Sequence, residues 1–159
     1  MRDAHALLSA MLSIIHPQLY TVGRESMIRL WQTASAEWDN KMLDILRIWP
    51  SVYNTASIMG NRCSPYHVDM NGKVEWFDQL LTVGRYTGLD MVFPRQHLWL
   101  RYDPGTMIAF SGRLLVHGAG DVEGERVCIA WYMQQKVHSA FSIQPCDYFR
   151  MFKQSHAMV

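Results

Sequence analysis

Two short motifs carry side chains of the kind that bind a metal ion. His67-Val68-Asp69 places an imidazole and a carboxylate two residues apart, and His117 follows 48 residues after Asp69, at the end of an apolar run. Residues i and i+2 of an extended segment point to the same face, so both side chains of the first motif can reach one ion. Two histidines and one carboxylate, with the other positions open, form the ligand set of non-haem Fe(II) oxygenases. For His117 alone, the alternative is a histidine satisfied by a backbone carbonyl.

An arginine at the start of the next apolar run could bind an anion beside this centre. Arg126 lies nine residues after His117 and opens the string RVCIAWYMQQ. A buried guanidinium needs a partner, and its planar fork suits a carboxylate. A co-substrate with a terminal carboxylate would supply that partner. Pairing with Glu123 or Glu125 in the preceding acidic loop is the alternative.

The elements that must position these residues fall into two parts. Apolar residues recur at helical spacing over residues 3–15, 17–34 and 38–46, and Pro17 ends the first helix and begins the second. After residue 50, β-branched and aromatic runs alternate with turn residues about every ten positions, which is typical of an antiparallel sandwich. The predicted strands are Val52–Met59, Trp76–Tyr86, Asp90–Phe93, Leu98–Tyr102, Thr106–Phe110, Leu114–His117 and Arg126–Gln134.

We therefore predict a single α+β domain over residues 1–159, with a helical cover at 1–50, a β-sandwich core at 51–138 and a C-terminal tail at 139–159. The composition agrees, because 49% hydrophobic and 18% charged residues are typical of a globular chain. Three cysteines without a C-x-x-C pair argue against a disulfide framework and a zinc ribbon, and favour a reducing, intracellular compartment.

The charge and hydropathy pattern restricts the partners. The N-terminal stretch lacks the basic start and the small-residue cleavage site that a signal peptide would have, and no run of 18 apolar residues is present, so we expect no membrane span. A net charge of +1 is weak for a protein that grips long stretches of nucleic acid phosphate. We expect a monomer.

The order of the motifs resembles a known oxygenase family. The strings GNRCSPYHVDMNGKVEWFDQLLTVGRYTG and YDPGTMIAFSGRLLVHGAGDVEGERVCIAWYM, over about residues 55–138, are similar to the 2-oxoglutarate/Fe(II) dioxygenases and, among them, to the fungal-type branch of the Tet/JBP family. The resemblance implies a double-stranded β-helix (jelly-roll or cupin-like) sandwich. It also implies that His67, Asp69 and His117 are the Fe(II) ligands.

The same resemblance implies roles for further residues. Arg126 would hold the distal carboxylate of 2-oxoglutarate, and Arg62 would approach the end of the co-substrate nearer the metal, with a surface loop arginine as the alternative. O2 would be the second co-substrate. Gln134 and Gln135 would lie on the last strand, where alternation turns one amide towards the substrate, and Asn71 would line the same mouth.

The implied function is the oxidation of a methyl group on a nucleic acid base, namely 5-methylcytosine in DNA to 5-hydroxymethylcytosine and beyond, and DNA as the partner would place the protein in the nucleus. The residues leave several alternatives open. The same chemistry could act on N6-methyladenine, a protein side chain or a small metabolite, or the chain could be a non-catalytic cupin-like binding module. At 159 residues a truncated or divergent copy is a further alternative.

Overall fold

Helices make up the first third of the chain. The computed structural model describes residues 2–148. Pro17 lies in the first turn of the second helix, and the preceding His16 caps that helix because its Nδ1 accepts a hydrogen bond from the Leu19 amide (3.3 Å). Pro17 therefore separates two helices, as predicted. The helices are α1 (Arg2–Ile15), α2 (Pro17–Ala36) and α3 (Asn40–Ile48).

In the described part of the chain, eight strands form two antiparallel four-stranded sheets. The strands are β1 (Thr55–Gly60), β2 (Ser64–His67), β3 (Asp78–Tyr86), β4 (Asp90–Phe93), β5 (Leu98–Arg101), β6 (Met107–Phe110), β7 (His117–Ala119) and β8 (Gly124–Tyr132). The first sheet has the order β1-β8-β3-β6 and the second the order β2-β7-β4-β5. A short helix, α4 (Gln135–Ala140), follows β8.

Apolar side chains form one core on each face of the first sheet. On the outer face, Leu8 and Leu12 of α1 pack with Ile129 and Trp131 of β8. On the inner face, Cys128 belongs to a second cluster that lies between the two sheets. Because alternate residues of β8 serve the two clusters, the helices cover the first sheet without entering the space between the sheets.

The strand that carries His67 is absent from the sequence prediction. Pro65 lies in β2, and proline is usually excluded from strands because it cannot donate to the ladder. Here β2 is an edge strand of the second sheet, where a proline is tolerated. The predicted strand Leu114–His117 is wrong, since a turn over residues 112–115 comes first and β7 begins at His117. The glycine that follows allows β2 to approach, because a Cβ at Gly118 would overlap the Ser64 carbonyl.

The last strand is shorter than predicted. β8 ends at Tyr132, and Gln135 begins α4, so the placement of Gln134 and Gln135 on a strand is wrong. The Gln134 amide donates to Asn54 Oδ1 (2.9 Å) instead of to a strand partner. A side chain therefore ends the ladder in a way that the apolar pattern does not reveal.

The predicted C-terminal tail is in part packed on the helices. Cys146 is buried in the outer cluster, and the Asp147 amide donates to Gln18 Oε1 (3.2 Å). The last eleven positions of the expected tail, residues 149–159, lie outside the described residues. Within residues 2–148, no helix combines the length and apolar character needed to cross a membrane.

Candidate metal centre

The three predicted ligands meet where β2 and β7 pair. His67 and His117 are cross-strand partners, and Asp69 follows β2 directly. Asp69 lies between the two imidazoles, with Oδ1 3.5 Å from His67 Nε2 and Oδ2 3.6 Å from His117 Nε2. One ligand atom from each of the three residues lies within 4.8 Å of the others. The strand pairing therefore brings together two motifs that are about 50 residues apart.

Hydrogen bonds orient both imidazoles in the same way. His67 Nδ1 is 2.7 Å from the Pro65 carbonyl oxygen, and His117 Nδ1 is 2.9 Å from the Leu115 carbonyl oxygen. A carbonyl only accepts, so each Nδ1 carries a proton, and the lone pair that each imidazole offers a metal is on Nε2. Both lone pairs then lie on the side of Asp69. Such carbonyl contacts to the remote nitrogen are typical of metal-binding histidines.

His117 lies in an apolar setting, whereas the other two ligands are partly open. Its side chain is 5% exposed, against 39% for His67 and 46% for Asp69. The ring of Phe110 packs against it edge-on, with the centroids 4.7 Å apart. Burial lowers the pKa of His117, and the Leu115 carbonyl and Asp69 oppose that shift. The imidazole is therefore neutral near pH 7 and able to act as a ligand.

A glycine holds the carboxylate of Asp69 in place. The Gly112 carbonyl accepts from the Asp69 amide (2.9 Å), and the Gly112 amide donates to Asp78 Oδ2 (3.2 Å). A Cβ at position 112 would overlap carboxyl oxygens of both aspartates. Burial, and next the charge of Asp69, raise the pKa of Asp78 to about 8, and the Gly112 amide opposes the shift.

These residues face a cavity of about 290 Å³ between the two sheets. The inner face of β8 forms one wall, with Arg126, Cys128, Ala130 and Tyr132 in succession. Because alternate residues of a strand rise about 7 Å, Arg126 and Tyr132 lie roughly 20 Å apart at the two ends of this wall. The remaining lining is contributed by both sheets and by loop residues: Ser57, Met59, Arg62, Ser64, His67, Asp69, Asn71, Gly72, Asp78, Leu80, Met91, His117, Gly118 and Ala119.

Arg126 is buried at one end of the cavity with its charge unpaired. The residue is 5% exposed, and within residues 2–148 no carboxylate lies at ion-pair distance from it. Its Nε donates to Thr82 Oγ1 (3.2 Å), its Nη1 to the Arg62 carbonyl (3.1 Å), and the guanidinium lies 5.3 Å from the ring centroid of Tyr102. The alternative pairing with the acidic loop before β8 is not formed. Because a buried unpaired cation is costly, this end of the cavity suits an anion.

The other predicted site residues divide into two groups. Arg62 and Asn71 are exposed residues that line the cavity, as predicted for Asn71, and the approach of Arg62 to the metal-proximal end of the co-substrate stays a prediction. Arg62 also contributes its main-chain carbonyl to Arg126. Gln134 and Gln135 do not line the cavity, and Gln135 is exposed.

The sequence reasoning does not find a polar pair at the end of the cavity opposite Arg126. Tyr132 OH lies 3.1 Å from Ser57 Oγ, and both residues line the cavity. The available signal is parity, because Tyr132 lies six residues after Arg126 and an even spacing on one strand places both on one face. No sequence pattern indicates that Asp78 belongs to the site, because its contact there is with the amide of Gly112, which is distant in the chain.

An open centre of two histidines and a carboxylate is characteristic of non-haem iron oxygenases. The family comparison agrees with this class. Residues 1–135 match the model of the Tet_JBP family, described as the oxygenase domain of the 2OGFeDO superfamily, and the chain therefore belongs to that family. Fe(II) and 2-oxoglutarate are the cofactor and co-substrate that this superfamily implies.

The fold is similar to that of a solved relative. It matches the structure of NgTET1 in complex with 5mC DNA, with a TM-score of 0.63 and 12% sequence identity. The match covers 84% of this chain and 48% of that one, so the chain spans about half the length of NgTET1. No curated protein matches the chain in sequence.

Proposed function

We propose that this protein is a 2-oxoglutarate/Fe(II)-dependent dioxygenase that oxidises the methyl group of 5-methylcytosine in DNA, to 5-hydroxymethylcytosine and beyond, within a double-stranded β-helix fold. The observation that carries the proposal is Arg126, a buried cation that has no carboxylate at ion-pair distance among residues 2–148 and that opens onto the same cavity as His67, Asp69 and His117. The family supplies the oxygenase class. The fungal-type branch and the monomeric state stay predictions.

The residues at the centre fit a divalent iron ion. Two Nε2 lone pairs and a half-exposed carboxylate lie close together. Within residues 2–148, no lysine or arginine lies at ion-pair distance from Asp69. His67, Asp69 and His117 would hold the ion on one side and leave its other positions open to the cavity. When bound, Fe(II) with 2-oxoglutarate and O2 supplies the oxidising chemistry, in which the co-substrate becomes succinate and CO2 and a substrate C–H becomes C–OH.

Arg126 would bind and orient the co-substrate. Its Nε is engaged by Thr82 and its Nη1 by the Arg62 carbonyl, and the five N–H groups of a guanidinium exceed what these two bonds use, so the fork can still receive a carboxylate. The side chain lies at a buried position, 5% exposed, where a charge-assisted pair is stronger than in water. The arginine would thus direct the opposite, 2-oxo acid end of the co-substrate towards the three ligands.

The opposite end of the cavity would receive the substrate. Tyr132 and Ser57 offer hydroxyl groups there, and Asn71 lies at the mouth. DNA as the partner is supported by the fold shared with NgTET1, a protein whose solved structure contains 5mC DNA. A base inside a duplex cannot reach a cavity between two sheets, so we expect it to be flipped out of the stack. A DNA substrate would place the protein in the nucleus.

Anaerobic binding followed by admission of air tests the proposal. The protein would be loaded with Fe(II) and 2-oxoglutarate, mixed with duplexes containing 5-methylcytosine, N6-methyladenine or no modification, and exposed to O2. We expect mass spectrometry to detect 5-hydroxymethylcytosine together with succinate. Succinate without any change of the DNA would contradict the base substrate and favour a protein or metabolite, whereas binding without succinate would favour a non-catalytic module.

Matched variants locate the substrate end. Tyr132→Phe removes only the hydroxyl near Ser57, so we expect base oxidation to fall about tenfold while uncoupled succinate formation persists. Gln135→Leu changes an exposed side chain outside the cavity and serves as the control. Equal effects of the two substitutions would argue against this placement of the substrate.

A further inference from the structure

The turn between β1 and β2 contacts Arg126 at three points. The Asn61 amide donates to the Arg126 carbonyl (2.8 Å), and the Arg126 amide donates to Asn61 Oδ1 (2.7 Å). The next residue, Arg62, accepts a hydrogen bond from Arg126 Nη1 on its main-chain carbonyl (3.1 Å). The turn therefore fixes both the backbone and the side chain of the buried arginine.

Asparagine suits this position for two physical reasons. Asn61 has a φ of +46°, in the left-handed region that asparagine enters more readily than most residues. The paired ladder of β1 and β8 ends at Gly60 and Val127, the immediate neighbours of Asn61 and Arg126. The amide and side-chain oxygen of Asn61 extend the hydrogen bonding by one residue while the chain turns. Glycine would accept the same φ but has no side-chain oxygen.

The consequence concerns the guanidinium. Three separate elements determine where it lies: Asn61 holds the Arg126 backbone, Thr82 of β3 holds Nε at 3.2 Å, and the ring centroid of Tyr102 lies 5.3 Å away. A charge-assisted pair with a carboxylate depends steeply on donor geometry. A small displacement of the strand at Arg126 would therefore weaken the pair.

We propose that Asn61 is a positioning residue for Arg126, and that its side chain sets the affinity of the site for the distal carboxylate of a 2-oxo diacid. This inference rests on the proposed function, in which Arg126 binds that carboxylate. Asn61 itself does not line the cavity that would hold metal and co-substrate. It acts through the backbone of Arg126 alone.

The test compares two 2-oxo acids that differ only in the distal carboxylate. Asn61→Gly keeps the left-handed turn and removes the side-chain acceptor. We expect the Kd for 2-oxoglutarate, measured by anaerobic calorimetry on the Fe(II)-loaded protein, to rise about tenfold. The Kd for 2-oxopentanoate, which lacks the distal carboxylate, should stay within about twofold, as should the Kd for Fe(II). In turnover, the KM for 2-oxoglutarate should rise with kcat unchanged.

The chain offers a matched control at the other end of the same strand pair. Asn54 Oδ1 accepts a hydrogen bond from the Gln134 amide (2.9 Å), just after β8, as Asn61 Oδ1 does from the Arg126 amide within β8. Asn54→Gly removes an equivalent bond far from Arg126 and should leave both dissociation constants unchanged. Equal weakening of the two acids by Asn61→Gly, or equal effects of the two glycine variants, would show a merely structural role and overturn the proposal.

A double substitution separates this inference from the proposed function. With Arg126→Met already present, Asn61→Gly should cause no further loss of 2-oxoglutarate affinity, because both act through one carboxylate contact. If Arg126→Met weakens 2-oxoglutarate and Asn61→Gly does not, the positioning role is wrong and the carboxylate contact stands. If Arg126→Met itself has no effect, the proposed co-substrate site is wrong and the role of Asn61 is wrong with it.

Discussion

The unpaired charge of Arg126 predicts that one substitution will change stability in opposite directions with and without co-substrate. Arg126→Met keeps the aliphatic stem and removes the guanidinium. The loss of the bonds to Thr82 and to the Arg62 carbonyl costs about 1 kcal/mol each. Removal of an uncompensated buried charge returns several kcal/mol of desolvation. Without 2-oxoglutarate, the variant should therefore be at least as stable as the wild type.

Co-substrate should reverse this order. A desolvated bidentate pair is worth about 3 kcal/mol, so its loss should weaken 2-oxoglutarate binding roughly 150-fold. At 100 times its Kd, a ligand stabilises the native state by about 2.7 kcal/mol, a gain that the variant should lack at the same concentration. Arg126→Lys should lie between the two, since an ammonium keeps the charge without the fork.

Urea unfolding of Fe(II)-loaded protein under anaerobic conditions, with and without 2-oxoglutarate, measures both quantities in one experiment. Arg101→Met is the control, because Arg101 is an exposed arginine that pairs with Asp103 on the surface. The reasoning is refuted if Arg126→Met unfolds much more readily than the wild type without co-substrate. It is equally refuted if 2-oxoglutarate stabilises the two proteins to the same extent.

Three further predictions concern two residues of the metal centre and one buried histidine. Asp69→Ala should abolish 2-oxoglutarate-dependent turnover and metal binding. Because the side chain is 46% exposed, the free energy of unfolding of the metal-free protein should change by less than about 1 kcal/mol. A large loss of stability in a denaturant titration would indicate a structural role instead. Gly112→Ala should lower the Fe(II) affinity at least about tenfold in a chelator competition, because the new Cβ would displace the Asp69 carboxylate. Gly120→Ala is the control, since a Cβ there meets open space and should leave the affinity unchanged. Similar Fe(II) affinities for both variants would contradict the geometry. Burial, and next the charge of Lys73, lower the pKa of His138 to about 4, so its neutral form stabilises the fold fully above pH 6.5 and that contribution is lost as the pH falls from 6.5 towards 4. Relative to His138→Phe, which keeps a ring against Trp76, the wild type should lose about 1–2 kcal/mol over that window after allowance for solvent screening, and parallel pH curves would exclude this origin.

Local patterns predict the helices well and the strands unevenly. Pro17 divides α1 from α2 as expected, and β4 has the predicted bounds. These elements depend on signals within a few residues, namely helical spacing, a proline and a short apolar run. β2 depends instead on its position at a sheet edge, which no local window reveals. The same holds for Gly118, which is needed only because another strand approaches it.

The candidate site shows the same division. The triad and Arg126 could be placed from residue types, order and strand parity, and the structure brings all four to one cavity. The placement of Gln134 and Gln135 on the last strand, which the resemblance implies, is wrong, because β8 ends at Tyr132 and the Gln134 amide donates to Asn54 Oδ1. Asn61 could not be found at all from a pattern, because its role requires the register of β1 and β8.

The pairing of His67 with His117 also has a consequence for the order of folding. The two histidines become neighbours only when β2 joins β7, a contact between residues fifty positions apart. Contacts of such long range form late, because the entropy of closing the intervening chain must be overcome first. Of the three ligands, only His67 and Asp69 therefore lie near each other along an unfolded or half-synthesised chain. All three ligands are available only when the two sheets have formed, so we expect metal binding to stabilise the folded protein and not the nascent chain.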